Sequence, residues 1–231
     1  TTSGGKLWIK DLRKPNSPLV AILNNYDSDT FVLSIKGDKI YFHTNLNAPN
    51  GRIVVADIKN PTPEHWKDLI AETQNVLTPV VAGKYILAHY MKDAISQVKQ
   101  YDFEGKLIRD IKLPALGTVT LNSAKEEESE SYFSFENFYT PSSIYKLHLD
   151  KGDTELYWAP KIDFNPNDFE SKQVFYTSKD GTKVPMIITY KKGTPLDGTA
   201  PACLYGYGGF NVSYTPWFAV TYAVWMNNGG V

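Results

Sequence analysis

The chain has 231 residues, with 24 Lys and Arg against 25 Asp and Glu, and a formal net charge of -1 that offers no broad basic field to nucleic acid or to an anionic membrane. Hydrophobic residues make up 42% of it and charged residues 21%, the balance of a folded globular protein and not of a disordered one. Its single cysteine, Cys203, excludes an internal disulfide framework and a CxxC metal site, and no apolar run approaches the ~18 residues of a membrane span. The four histidines (His43, His65, His89 and His148) are scattered without HExxH or comparable spacing, so surface or core roles are assigned to them, and neither metal nor cofactor is expected. Thr1-Thr2-Ser3-Gly4-Gly5 is not a signal peptide. The chain begins and ends in mid-pattern, which leaves room for a targeting segment outside it and leaves localisation open between cytoplasm and periplasm.

In chain order, strand-like segments begin at Leu7, Ile53, Val98 and Ile144, in steps of 46, 45 and 46 residues. A constant period in the middle forties, carried by segments rich in Val, Ile, Tyr and Phe, predicts radially repeated four-stranded blades, the architecture of a β-propeller. Turns in an all-β sandwich recur at shorter spacing. The predicted strands are 7–12, 39–44, 53–58, 85–90, 98–103, 132–135 and 143–149, with a further strand from Leu107 to Leu113. Three to four blades are visible, so the fold expected of residues 1–162 is a partial seven-bladed-type propeller. Residues 125–130, a run of Lys, Glu and Ser, read as a solvated turn. His148 stands where the other three repeats carry aspartate (Asp11, Asp57, Asp102), which points to a solvent or turn position and not a catalytic one.

The repeat stops near Pro160, and Asp163-Phe164-Asn165-Pro166-Asn167-Asp168 has the turn-forming residues of a link between domains. A second domain is therefore expected over residues 163–231. Two strand-like runs, 172–178 and 183–191, flank Lys179-Asp180-Gly181-Thr182, where Asp-Gly favours a hairpin and Pro185 marks an edge strand. Ala202-Cys203-Leu204-Tyr205 reads as a buried strand entering Gly206-Tyr207-Gly208-Gly209-Phe210-Asn211. Over residues 217–227, Phe218, Tyr222, Trp225 and Met226 fall close to one helical face, Asn228-Gly229-Gly230 ends the helix, and Val231 opens another strand. Hairpin, strand, glycine loop, helix and strand is the layout of the early part of an α/β-hydrolase sheet. In that fold the loop after the third strand helps to form the oxyanion hole, because the oxygen that turns negative in acyl transfer must meet preorganised donors. A tyrosine there can donate its phenol O–H, and a phenylalanine can wall the substrate. From spacing alone, the favoured reading of Tyr205, Tyr207 and Phe210 is as core aromatics around a tight turn. The GxGGxN arrangement is not a dinucleotide fingerprint.

Leu204-Tyr205-Gly206-Tyr207-Gly208-Gly209-Phe210-Asn211, with Tyr176-Thr177-Ser178-Lys179-Asp180-Gly181-Thr182-Lys183-Val184-Pro185-Met186, Pro195-Leu196-Asp197-Gly198 and Thr44-Asn45-Leu46-Asn47-Ala48-Pro49-Asn50-Gly51-Arg52, resembles the prolyl oligopeptidase (prolyl endopeptidase) family across essentially the whole chain. The resemblance implies a seven-bladed propeller capping an α/β-hydrolase domain, whose Ser-Asp-His triad cleaves short peptides on the carboxyl side of proline. It also implies that Tyr207 donates to the oxyanion and that Phe210 lines the pocket near the proline. No GxSxG elbow is present in these residues, so the expectation is an internal segment of a longer peptidase, inactive alone, whose partners are the rest of that enzyme and short proline-containing peptides. Neither nucleic acid nor membrane is expected as a partner. An oligopeptidase B-like or acylaminoacyl-peptidase-like specificity is the nearest alternative, against which Gly209-Phe210-Asn211 favours the prolyl branch. A non-catalytic propeller binding module is the alternative from another class, and the loop from Tyr205 to Asn211 argues against it. Asn211-Val212-Ser213 matches a glycosylation sequon that is expected to go unused beside such a loop.

Overall fold

Alternation and β-branched content make strand the main regular structure of this chain. In the computed structural model, which describes residues 4–210 and 212–231, β1 (Leu7–Ile9) pairs antiparallel with β2 (Val20–Leu23). Thr1, Thr2, Ser3 and Asn211 lie outside the described residues, and with them the head of the N-terminal segment and the asparagine of the glycine-rich motif. Three four-stranded sheets follow, in each of which every strand pairs with its chain neighbours. The first holds β3 (Thr30–Lys36), β4 (Lys39–Thr44), β5 (Arg52–Asp57) and β6 (Lys67–Ile70), and the second β7 (Val76–Ala82), β8 (Tyr85–Lys92), β9 (Ile95–Tyr101) and β10 (Leu107–Ile111). The third holds β11 (Thr118–Leu121), β12 (Glu130–Glu136), β13 (Ser143–His148) and β14 (Thr154–Trp158). The four repeated segments are β1, β5, β9 and β13, the third strand of each complete sheet, so the period marks one blade.

The repeated aspartates end these strands. Oδ1 of Asp11, Asp57 and Asp102 accepts the backbone N–H two residues on, from Arg13 (3.1 Å), Lys59 (2.8 Å) and Glu104 (3.0 Å). That turn stops β1 at Ile9 and β9 at Tyr101, short of the predicted ends at 12 and 103. His148 cannot make it. There Gly152, at φ +79°, donates its N–H to the His148 carbonyl at 2.7 Å and closes the turn through the backbone.

Contacts group the chain into two units, one comprising the chain through Tyr90 with Val98–Asp110 and Ser123–Glu128, the other Met91–Gln97, Ile111–Asn122 and Ser129–Val231. In the first unit the sheet β3 to β6 is buried on both faces, which is why its central strands are continuous apolar runs. Ile40, Phe42, Val54 and Ala56 pack with Ile22 and Leu23 on one side, and Tyr41 and Ile53 pack with Leu77, Ile86, Ala88, Tyr90 and Phe103 on the other. Phe42 also stacks on Trp66, with ring centroids 5.0 Å apart.

In the second unit the sheet β11 to β14 buries Val119, Phe133, Phe135 and Leu147, with Phe133 stacked on Tyr145 at 5.4 Å. The expected linker is a single 3-10 turn, Pro166–Asp168, capped by Asn165, and it leads into a hairpin of β15 (Phe169–Thr177) and β16 (Lys183–Lys191). Its turn is closed by Ser178 N–H to Thr182 O at 2.9 Å and by Asp180 Oδ1 accepting the Thr182 N–H, with Gly181 at φ +88°. Pro185 lies within β16 opposite Phe175, tolerated because both strands of a two-stranded sheet are edges.

The one described α-helix, α1 (Val220–Asn227), starts three residues later than the predicted 217. Its approach is committed elsewhere: the Phe218 N–H donates to Glu136 Oε2 at 3.1 Å, and Thr118 Oγ1 donates to the Pro216 carbonyl at 2.6 Å. Ala223 and Met226 are its buried residues, while Val220, Val224 and Trp225 are exposed, so the predicted face of Phe218, Tyr222, Trp225 and Met226 is only partly the buried one. Gly229, at φ +84°, and Gly230 donate their N–H groups to the carbonyls of Met226 and Trp225, a Schellman cap.

Candidate functional site

Residues 202–205, read from the sequence as a buried strand, are exposed and form no extended ladder; Leu204 is 85% exposed. Their backbone is nevertheless paired at one point. The Val231 N–H donates to the Pro201 carbonyl and the Cys203 N–H donates to the Val231 carbonyl, both at 2.9 Å. Bonds on both sides of a residue from a single partner are the pattern of a parallel bridge, here between Ala202 and Val231. Strand run, glycine loop, helix and returning parallel residue form the start of a βαβ unit, whose conventional ligand position is the loop at the carboxyl end of the first strand.

That loop is residues 206–213. Gly208 is at φ +67°, and so is fitted to its glycine by backbone conformation. Gly206 is different: a Cβ built there meets nothing within 4 Å, and one at Gly209 meets only the Tyr207 ring, at 3.9 Å. Neither glycine is required by packing within the chain, and bare backbone at such positions suits the close approach of something else. Phe210 adopts φ +53°, left-handed backbone that costs a non-glycine residue roughly 1–2 kcal/mol, and its side chain is 93% exposed. Tyr207 is about half exposed, and its hydroxyl has no hydrogen-bond partner among the described residues. Gly208, Gly209, Phe210, Val212 and Ser213 line a depression of about 370 Å³. The loop thus carries outward one free phenol donor, one apolar ring and unobstructed backbone.

Tyr205 differs in having a ring partner. Its ring lies on that of Tyr214, centroids 4.7 Å apart, and the Tyr214 hydroxyl accepts from Trp217 Nε1–H at 2.7 Å and pairs with the Tyr222 hydroxyl at 2.8 Å. Burial, then the Tyr214 hydrogen bond, push the Tyr222 phenol up to about 12. Phe138, in the turn after β12, meets the Tyr222 ring edge-on at 6.0 Å. Tyr205 has a ring partner within the chain although it is 59% exposed, Tyr207 is 53% exposed with no hydroxyl partner among the described residues, and Phe210 is 93% exposed. Tyr214, Trp217 and Tyr222 were not singled out from the sequence as a group. Tyr214 and Trp217 lie before the helix that carries Tyr222, and the shared hydroxyl brings the three together.

No group of acidic, His or Cys side chains that could hold a metal occurs among the described residues, and no described helix is long and apolar enough to cross a membrane. A family model described as prolyl oligopeptidase, N-terminal β-propeller domain, matches residues 1–160. A prolyl endopeptidase of Elizabethkingia miricola is 49% identical over 230 residues, covering 100% of this chain and 32% of its own length. Prolyl oligopeptidase B from Galerina marginata, in its apo structure, superposes with a TM-score of 0.87 at 27% identity, over 99% of this chain and 33% of that one. The same protein bound to a 35mer hydrolysis and macrocyclization substrate gives a TM-score of 0.82 at 28% identity, over 98% and 33%. The chain spans about a third of the length of the curated relatives it matches.

Proposed function

The chain belongs to the prolyl oligopeptidase family, and from that premise we propose that it supplies propeller blades, over residues 1–162, and the oxyanion-side loop, within residues 163–231, of a serine endopeptidase cleaving short peptides after proline. In this reading the triad serine attacks the carbonyl carbon of the proline residue, electron density moves onto the carbonyl oxygen, and the Tyr207 phenol O–H donates to the oxygen as it becomes negative. The donor acts most strongly in the transition state, where the charge is largest. Phe210 gives the proline ring an apolar wall. The serine, aspartate and histidine are contributed from outside these residues, whose own role is electrostatic and steric.

The observation that supports this best is a Tyr207 hydroxyl with no partner among the described residues, close in the chain to a Phe210 ring that is 93% exposed on left-handed backbone. Leaving such a ring in water forgoes roughly 2 kcal/mol of burial, which a bound substrate would recover. In the full-length protein, Tyr207→Phe is expected to lower kcat about a hundredfold with KM nearly unchanged, and Phe210→Ala to raise KM for proline-containing chromogenic peptides. Wild-type kcat in folded Tyr207→Phe, with chemistry shown to limit turnover, would overturn the oxyanion role. Faster cleavage of arginine-containing than of proline-containing peptides would replace the prolyl specificity with the oligopeptidase B-like one.

A further inference from the structure

Between Leu204 and Phe210 no hydrogen bond reaches beyond the loop's own turn among the described residues; that turn is Val212 N–H to Gly209 O at 3.1 Å. A donor placed on so loosely tied a backbone would wander, and misplacement by about 1 Å can cost about a hundredfold in rate. Among the described residues, the loop's ring contact to the rest of its unit is Tyr205 on Tyr214, centroids 4.7 Å apart. Its hydroxyl oxygen is shared by Trp217 Nε1–H and the Tyr222 hydroxyl. Trp217 and Tyr222 also meet edge to face at 5.5 Å, and Tyr222 rests against Phe138 in the turn after β12. The strap carrying Tyr214 and Trp217 is tied to that sheet through Thr118 and Glu136.

We propose that Tyr214 is a positioning residue for the glycine-rich loop: its hydroxyl, clamped between Trp217 and Tyr222, fixes the ring on which Tyr205 packs and so fixes the backbone leading into Tyr207. The inference rests on the oxyanion reading of Tyr207. Tyr214 touches neither substrate nor reacting atoms in this account, and acts by narrowing the positions from which the Tyr207 phenol donates. The Tyr214–Tyr222 bond is partly buried and the Trp217–Tyr214 bond is exposed, and the two together restrain the Tyr214 ring more than either alone.

The substitution Tyr214→Phe keeps the ring under Tyr205 and removes the shared oxygen, so the fold survives while the clamp opens. In the full-length protein it is expected to lower kcat about tenfold and to leave KM within about twofold. In a double-mutant cycle with Tyr207→Phe, the double variant should be no slower than Tyr207→Phe alone, because a misplaced donor and an absent one forfeit the same interaction. Hydrogen exchange across residues 203–213 should quicken in Tyr214→Phe while exchange in β11 to β14 stays at the wild-type rate. Multiplicative kcat losses in the cycle, or unaltered exchange in the loop, would overturn the proposal. If Tyr207→Phe itself keeps wild-type kcat, it is the oxyanion reading that fails, and the exchange result alone then decides whether Tyr214 holds the loop.

Discussion

His43 and His89 carry partly buried imidazoles in the first unit, and burial lowers the pKa of both. For His43 a hydrogen bond with the Leu77 backbone acts in the opposite sense but does not prevail, and its Nε2 is buried without a partner among the described residues. Gly51, at φ +85°, makes room for that ring, since a Cβ there would lie 2.6 Å from Nε2. With the folded-state pKa below the unfolded value near 6.5, the unfolded chain takes up protons first as the pH falls. The stability these neutral rings contribute is complete above about pH 6.5 and is lost as the pH drops through the folded-state values. The urea midpoint of the chain is therefore expected to fall between pH 7.5 and 5.5, and to fall less in His43→Gln. An identical midpoint at both pH values would show that these rings titrate as freely folded as unfolded.

Helix α1 shows how an element can be legible while its limits are not. The two glycines that end it do different work: Gly229 supplies left-handed backbone, and Gly230 supplies space, since a Cβ there would lie 2.2 Å from Trp225 Nε1. Gly229→Ala is expected to cost roughly 1–2 kcal/mol. Gly230→Ala should cost more, because the indole ring must move and its bond to the Val231 carbonyl is strained with it; equal shifts in thermal midpoint would contradict this division. The Asn-Gly-Gly stop was readable from local chemistry, but the start was not, since it is set by Thr118 and Glu136, about 80 to 100 positions earlier in the chain. Strands divide in the same way. Central strands such as β4 and β5 announce themselves because both faces are buried, whereas β3, with Phe31, Val32 and Ile35 exposed, and β7, interrupted by Pro79, have no clean pattern to read. At the loop, the motif drew attention to Tyr207 and Phe210, while the exposure of residues 202–205 and the hydrogen bonds that meet at the Tyr214 hydroxyl are not encoded in any spacing.

Across the whole molecule, the period of the repeat and the grouping of contacts follow different logics. Within the second unit, four contacts join the third four-stranded sheet to residues beyond 162: Thr118 to Pro216, Glu136 to Phe218, Phe138 to Tyr222, and Tyr139 to Phe169. A chain ending at Ile162 loses all four. The two hydrogen bonds alone are worth about 1 kcal/mol each, so the sheet β11 to β14 should exchange its amides measurably faster in the shortened chain than in the full one. Unchanged protection in that sheet would mean the contacts carry no stability. The same ties bear on how such a protein can be recombined. A chimaera that grafts a foreign catalytic portion at residue 162 asks the third sheet to meet an unfamiliar strap and helix, whereas one spliced before β11 carries sheet, strap and glycine loop across as a matched set. The transferable module is one blade larger than the repeat pattern suggests.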